Sequence, residues 1–211
     1  MQKITGIIDT KINKIKLIEI LINNISIVKK VLLAVAIFIP VYIYFNINDA
    51  KDYGTLAINL LFLSLVISPL GKIFKNNLIK FLMLIRGEIG KLMASAALAH
   101  GVGILSNKML QGALSHATLK DMFTNYLGFT LGITALLLTM PLLITSNLYF
   151  RNKMGMWWFK LHKLAYAIFI LGALHGSFIK GGVSIENSLS AIYYFVAYGL
   201  IIVASKKLEK K

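Results

Sequence analysis

Ala97-Leu98-Ala99-His100-Gly101 and Ala173-Leu174-His175-Gly176 decide the reading of this chain. Each sets one histidine deep in a long apolar run. A polar ring at membrane depth is costly unless something pairs with it, so such residues are functional candidates by default. The chain contains no cysteine, which removes disulfides, thiolate ligands and covalent haem attachment through a Cys-x-x-Cys-His sequence. An iron between the two rings is the obvious partner, and any haem carrying it is held non-covalently.

Composition fixes the class around that pair. Hydrophobic residues make up 57% of 211, the mean hydropathy is +0.74, and the charges fall in short clusters. This is the distribution of a polytopic membrane protein. A formal net charge of +15 is not read as nucleic-acid binding, because that needs a soluble basic face that this chain does not offer. Six apolar segments of spanning length are expected near residues 28–46, 54–73, 85–105, 122–146, 158–179 and 187–205, about 20 residues being needed per crossing. The fold class is therefore all-α, a six-helix membrane bundle binding b-type haem, with short loops making sequential helices antiparallel neighbours. Pro40 and Pro141 fall inside the first and fourth segments and predict kinks.

The basic residues set the orientation. Lys3, Lys11, Lys14, Lys16, Lys29 and Lys30 precede or open the first segment. Lys72, Lys75, Lys80, Arg86 and Lys91 surround the second loop, Arg151, Lys153, Lys160 and Lys163 the fourth, and Lys206, Lys207, Lys210 and Lys211 close the chain. Only Lys51, Lys108, Lys120 and Lys180 fall on the other side, so the positive-inside rule expects both termini to be cytoplasmic. Residues 1–27 are expected to form a segment of their own, and 206–211 a basic tail. The first 30 residues lack the pattern of a cleavable signal. Ile4, Ile8, Ile12, Ile15, Ile18 and Ile22 recur at helical spacing among lysines. They read as an amphipathic helix on the anionic lipid surface, the alternative being a disordered basic tail.

Depth pairs the two histidines. His100 follows Arg86 by 14 residues and His175 follows His162 by 13, so on parallel helices both rings lie about 20 Å from the inner interface at about 1.5 Å per residue. Small residues surround them: Ala94, Ser95, Ala96, Ala97, Ala99, Gly101 and Gly103 on one helix, Gly172, Ala173 and Gly176 on the other. Two readings follow. The small side chains make room for a porphyrin whose iron takes His100 and His175 as axial ligands, or they allow close helix packing around two hydrogen-bonded histidines.

His162 lies roughly 140° from the face of His175 on an ideal helix, so a straight helix cannot aim both rings along one seam. Either a kink near Gly172 realigns them or His162 faces another neighbour. Gly87 stands where a matching histidine would be needed, and a second bis-histidine haem is not supported. His162 then ligates a haem with an unusual partner, touches a quinone or a flavin such as FMN, or sits at the headgroups. His116 falls in an outer loop and is expected to be solvated. Trp157 and Trp158 read first as an interfacial aromatic belt, with stacking on a cofactor as the alternative. Arg86 and Arg151, the only arginines, are suited to a haem propionate, a flavin phosphate or a lipid phosphate, though Arg151 reads first as setting topology.

At these residues the chain resembles the ferric-reductase-like transmembrane domain family, and within it the haem-binding membrane subunits of periplasmic methionine sulfoxide reductase systems. The resemblance spans about residues 54–180. It is carried by Gly54 through Ser68-Pro69-Leu70, by Arg86-x-x-x-Gly90 followed by His100, and by Thr145-Ser146, Arg151, Gly155, Trp158, Leu161-His162 and His175. It implies a six-helix cytochrome in which His100 and His175 share a haem b and His162 belongs to a second cofactor site. It further implies electrons passing from a cytosolic flavin reductase or quinol to a periplasmic molybdopterin methionine sulfoxide reductase. Gly87 departs from the second arginine of the family pattern, and the basic N-terminal extension is not part of it. With no space for a nucleotide-binding domain, the chain is expected to be an electron-transfer subunit supplied from elsewhere. The alternatives are a stand-alone ferric or quinone reductase, or a small transporter with histidine ligands, which the scarcity of acidic residues in the helices weakens.

Overall fold

The structure is a computed structural model that describes residues 16–45, 50–106, 126–179 and 185–209. Residues 16–23 are helical. The longer elements are α1 (Ile25–Phe45), α2 (Ala50–Ile73), α3 (Asn77–Leu105), α4 (Leu127–Ile144), two short helices α5 (Leu148–Met154) and α6 (Met156–His162), then α7 (Leu164–Ile179) and α8 (Ile185–Glu209). No strand occurs among the described residues. Lys3, Lys11 and Lys14 of the expected amphipathic segment lie outside them, as do His116, Lys108, Lys120 and Lys180.

α3 is the hub. It packs against α1, α2 and α4, while α7 packs against α4, α2 and α8. A ring of α2, α3, α4 and α7 thus encloses the interior, with α1 outside α3 and α8 outside α2 and α7. One core cluster joins Leu61, Met93, Ala135, Leu142, Ile168 and Phe169 across that ring, and a second joins Ile67, Ile85 and Ile89 under Ile25, Val28 and Leu32 of α1. Outward faces are apolar and bare, among them Ile37, Phe38, Leu137, Leu200 and Val203, as expected where lipid tails replace water.

Five helical stretches are long and apolar enough to cross a membrane. α3, the expected third crossing, is not among them. It begins at Asn77, eight residues before the expected start, because Asn76 caps it by accepting a hydrogen bond from the Ile79 amide at 2.9 Å. Its first half then carries Lys80, Arg86, Glu88 and Lys91, which lowers the hydropathy of any window drawn over it. The helix need not be apolar all round, since neighbours rather than lipid cover Met93, Ala94, Ser95, Ala96 and Ala99.

Those small residues mostly serve close packing. Ala96 and Ala99 are fully buried, and a Cβ on Gly101 would come within 2.7 Å of Leu136 Cδ2. The Ser95 hydroxyl donates to the Ala36 carbonyl of α1. Ala36 lies four residues before Pro40, whose ring nitrogen has no hydrogen to return, so α3 supplies the donor that the proline withholds.

Candidate functional site

Two polar clusters lie at opposite ends of the ring. At one end the His100 and His175 rings face each other with centroids 6.0 Å apart and planes at 72°, which brings the depth-matched pair together across α3 and α7. His175 Nδ1 lies 2.6 Å from the Gly128 carbonyl of α4. A carbonyl only accepts, so Nδ1 carries the hydrogen and Nε2 keeps its lone pair for a ligand. Glycines back both rings. A Cβ on Gly132 would sit 2.7 Å from His175 Nδ1, and one on Gly54 would sit 2.9 Å from His100 Nδ1. Gly128 and Gly132, one turn apart on α4, were not singled out by the sequence reading. Their only signal was the spacing of two glycines in an otherwise apolar helix.

The pair fits an iron. Two imidazoles bound to one metal from opposite sides, each nitrogen about 2 Å from it, place their centroids about 6 Å apart. A bond of the kind His175 makes to the carbonyl, from the ring nitrogen not used for a metal, orients an imidazole that ligates one.

At the other end, residues from α2, α3, α4, α6, α7 and α8 line a cavity of about 470 Å³. Leu61, Met93, Leu142 and Ala165 give it apolar walls, and Arg86, Lys72, Lys163 and Lys206 give it positive charge. The Arg86 guanidinium donates to the Ser68 hydroxyl. Gly87 and Gly90 also line the space, and a Cβ on either would meet nothing within 4 Å. The large open volume therefore lies here; neither His100 nor His175 lines it.

His162 borders the cavity through a small network. Its ring stacks on Trp158 at 3.9 Å and 26°, Trp158 Nε1–H donates to the Thr145 carbonyl at 2.8 Å, and Thr145 Oγ1 lies 3.2 Å from His162 Nε2. Half-buried Trp158 is thus built into the network, whereas Trp157 is 68% exposed under the Lys160 ammonium. Arg151 is exposed, its guanidinium 5.4 Å from the Trp158 ring centroid. The helix breaks at Lys163, whose amide bonds back to the Lys160 carbonyl at 3.2 Å. The break adjoins His162 itself instead of falling near Gly172, and His162 meets Thr145 at the end of α4. The other two described histidines are paired with each other, so no described histidine remains to complete a second bis-histidine site.

The family described as ferric reductase like transmembrane component matches residues 53–173. The heme-binding subunit MsrQ of protein-methionine-sulfoxide reductase from Yersinia enterocolitica is 32% identical over 175 residues, covering 79% of this chain and 82% of that protein. The MsrQ proteins of Agrobacterium fabrum and Pectobacterium atrosepticum are 28% and 29% identical, covering 73% and 86% of this chain and 71% and 93% of their own lengths. No solved structure matches the chain at a comparable level.

Proposed function

The chain belongs to the ferric reductase like transmembrane component family, and from that premise we propose that it is the haem-binding electron-transfer subunit of a methionine sulfoxide reductase system. The observation that carries the proposal is the His100–His175 pair at 6.0 Å, with His175 Nδ1 committed to a backbone carbonyl and its Nε2 free to ligate. The two histidines would hold one haem b, which would supply a one-electron iron couple. Gly54 and Gly132 hold the two rings at their backs, and Gly128 fixes the His175 tautomer.

The cavity is assigned as the entry side. Apolar walls with Arg86 and three lysines suit a flat, anionic or amphipathic electron carrier, FMN or a quinone, with Trp158 and His162 alongside. The lysine-rich end faces the cytoplasm in this proposal, with both termini on that side of the inner membrane. Residues 16–23 then lie on the anionic leaflet, and Lys206 and Lys207 in the last turn of α8 add positive charge on the same side. Electrons enter from a cytosolic flavin reductase or quinol and leave from the His100–His175 end to a periplasmic molybdopterin methionine sulfoxide reductase.

The test is the reduced-minus-oxidised visible spectrum and the extracted haem content of the purified protein. Low-spin b-type bands with non-covalent haem are expected. A colourless protein from haem-sufficient cells would overturn the assignment.

A further inference from the structure

Glu88 and Lys91 belong to neither polar cluster. They sit on α3 between Arg86 and His100, with Lys91 Nζ 2.7 Å from Glu88 Oε2 and side chains only 22% and 13% exposed for the lysine and the glutamate. The Glu88 oxygen facing the ammonium is sealed from solvent without a hydrogen bond of good geometry, which leaves the charge of Lys91 to compensate it. Lys91 lines an apolar crevice with Leu33, Ile37 and Pro40 of α1 and Leu143 of α4. Two charges withdrawn from water lose hydration that their mutual attraction repays only in part, and ionisable side chains at membrane depth are functional candidates by default. Packing does not account for the pair. Its members stand three residues apart on one helix, so it fastens α3 to no neighbour, and Ser95 already makes the polar bond from α3 to α1.

What the pair has is direction. Lys91 precedes His100 by nine residues and Glu88 precedes it by twelve, so at about 1.5 Å per residue the cation lies about 14 Å from His100 along the axis and the anion about 18 Å. The positive end points toward the paired histidines. It opposes the dipole of α3 itself, whose negative C-terminal end at Leu105 lies on that side. We infer that Glu88 and Lys91 form an electrostatic tuning pair, a fixed dipole that favours an extra electron at the His100–His175 end. The inference rests on the assignment of a one-electron haem iron to that end. An electron held there adds one negative charge, which the nearer Lys91 attracts more than the farther Glu88 repels. At an effective dielectric constant of about 20, a lone cation about 15 Å away raises the reduced-to-oxidised ratio about sixfold at fixed potential, and an anion about 4 Å farther off lowers it about fourfold.

The experiment is redox titration of the haem bands in the purified full-length protein and four variants. Glu88→Gln should raise the midpoint, increasing the reduced-to-oxidised ratio at the wild-type midpoint about fourfold, and Lys91→Met should lower it. Glu88→Gln combined with Lys91→Met should lower that ratio about 1.5-fold, and the exchange of Glu88→Lys with Lys91→Glu about twofold, with haem content and low-spin bands unchanged. A pair that serves helix stability alone would survive the exchange with its midpoint unmoved. The combined and exchanged variants leave no charge unpaired and decide the matter even if a single variant fails to fold. Midpoints in those two equal to the wild type, or displaced in the opposite sense, would overturn the inference while leaving the haem assignment intact. A wild-type protein without haem would overturn that assignment and the inference with it, and the spectrum shows this before any titration.

Discussion

The helical stretch from Met156 to Ile179 carries two histidines 13 residues apart that the structure treats in opposite ways. His175 donates through Nδ1 to a carbonyl of α4, is backed by a glycine, and meets a second imidazole at 6.0 Å. His162 Nε2 lies 3.2 Å from a hydroxyl at the far end of the same α4, and the ring is backed by an indole and borders open space. One partner helix thus presents opposite nitrogens of the same side chain at its two ends. Under the proposed assignment, the His100–His175 end would hold a metal between rings and the His162 end would receive a ligand beside one. Residue type alone does not make a ligand; the atom that the neighbour has already claimed decides what the ring has left to offer.

The largest expected effect tests the outer half of that contrast. His100→Ala and His175→Ala should each abolish the low-spin bands, because one remaining imidazole leaves the iron an open position. His162→Gln should keep those bands while slowing their appearance severalfold when inverted vesicles are reduced by a flavin reductase or a quinol. Stopped-flow absorbance separates the two behaviours. Equal loss of bands in all three variants would erase the difference between the ends, and an unchanged rate in His162→Gln would make the inner histidine a bystander.

The glycines give the next effect and a reversal of sign. Gly132→Ala puts a Cβ 2.7 Å from His175 Nδ1, and overpacking of this kind costs about 1–3 kcal/mol. The ring must move, so haem content should fall and the thermal midpoint with it. Gly90→Ala adds a methyl to open space in the interior of α3, where exchanging glycine for alanine gains about 0.5–1 kcal/mol. That variant should be as stable as the wild type or more so. Melting curves in detergent settle the comparison, and matching losses at the two positions would show that the ends are equally crowded.

The chain itself disclosed one end more fully than the other. Apolar runs and the spacings from Arg86 to His100 and from His162 to His175 placed the His100 and His175 rings level, because membrane depth converts residue number into distance. α3 was harder to delimit, since its covering comes from other helices and its charges dilute the hydropathy on which the reading relied. The break at Lys163 and the roles of Thr145 and Trp158 were hidden for a different reason. They depend on which tertiary partner each donor finds, and the Gly128, Pro141 and Thr145 carbonyls leave no trace in side-chain identity. Small residues around His100 suggested room for a porphyrin, yet several prove to be packing residues, and the large cavity lies at the His162 end. Small side chains permit either close approach or empty space, and only the neighbouring helices determine which.

The smallest expected effect dissects the inner network. Trp158→Phe keeps an aromatic face for His162 but removes the hydrogen bond to the Thr145 carbonyl, a loss of about 0.5–1.5 kcal/mol. Trp158→Ala removes the ring contact as well, which adds about 0.5–1.5 kcal/mol. The thermal midpoint should therefore drop by a few degrees in the first variant and about twice as far in the second, with the haem bands of the outer pair unaltered in both. The contrast rests on the stack contributing independently of the bond. If the phenylalanine variant loses as much as the alanine variant, the indole hydrogen carries the whole effect and Trp158 acts on His162 only by fixing Thr145. If neither variant shifts the midpoint, Trp158 is an interfacial aromatic after all, and the inner histidine is ordered by Thr145 alone.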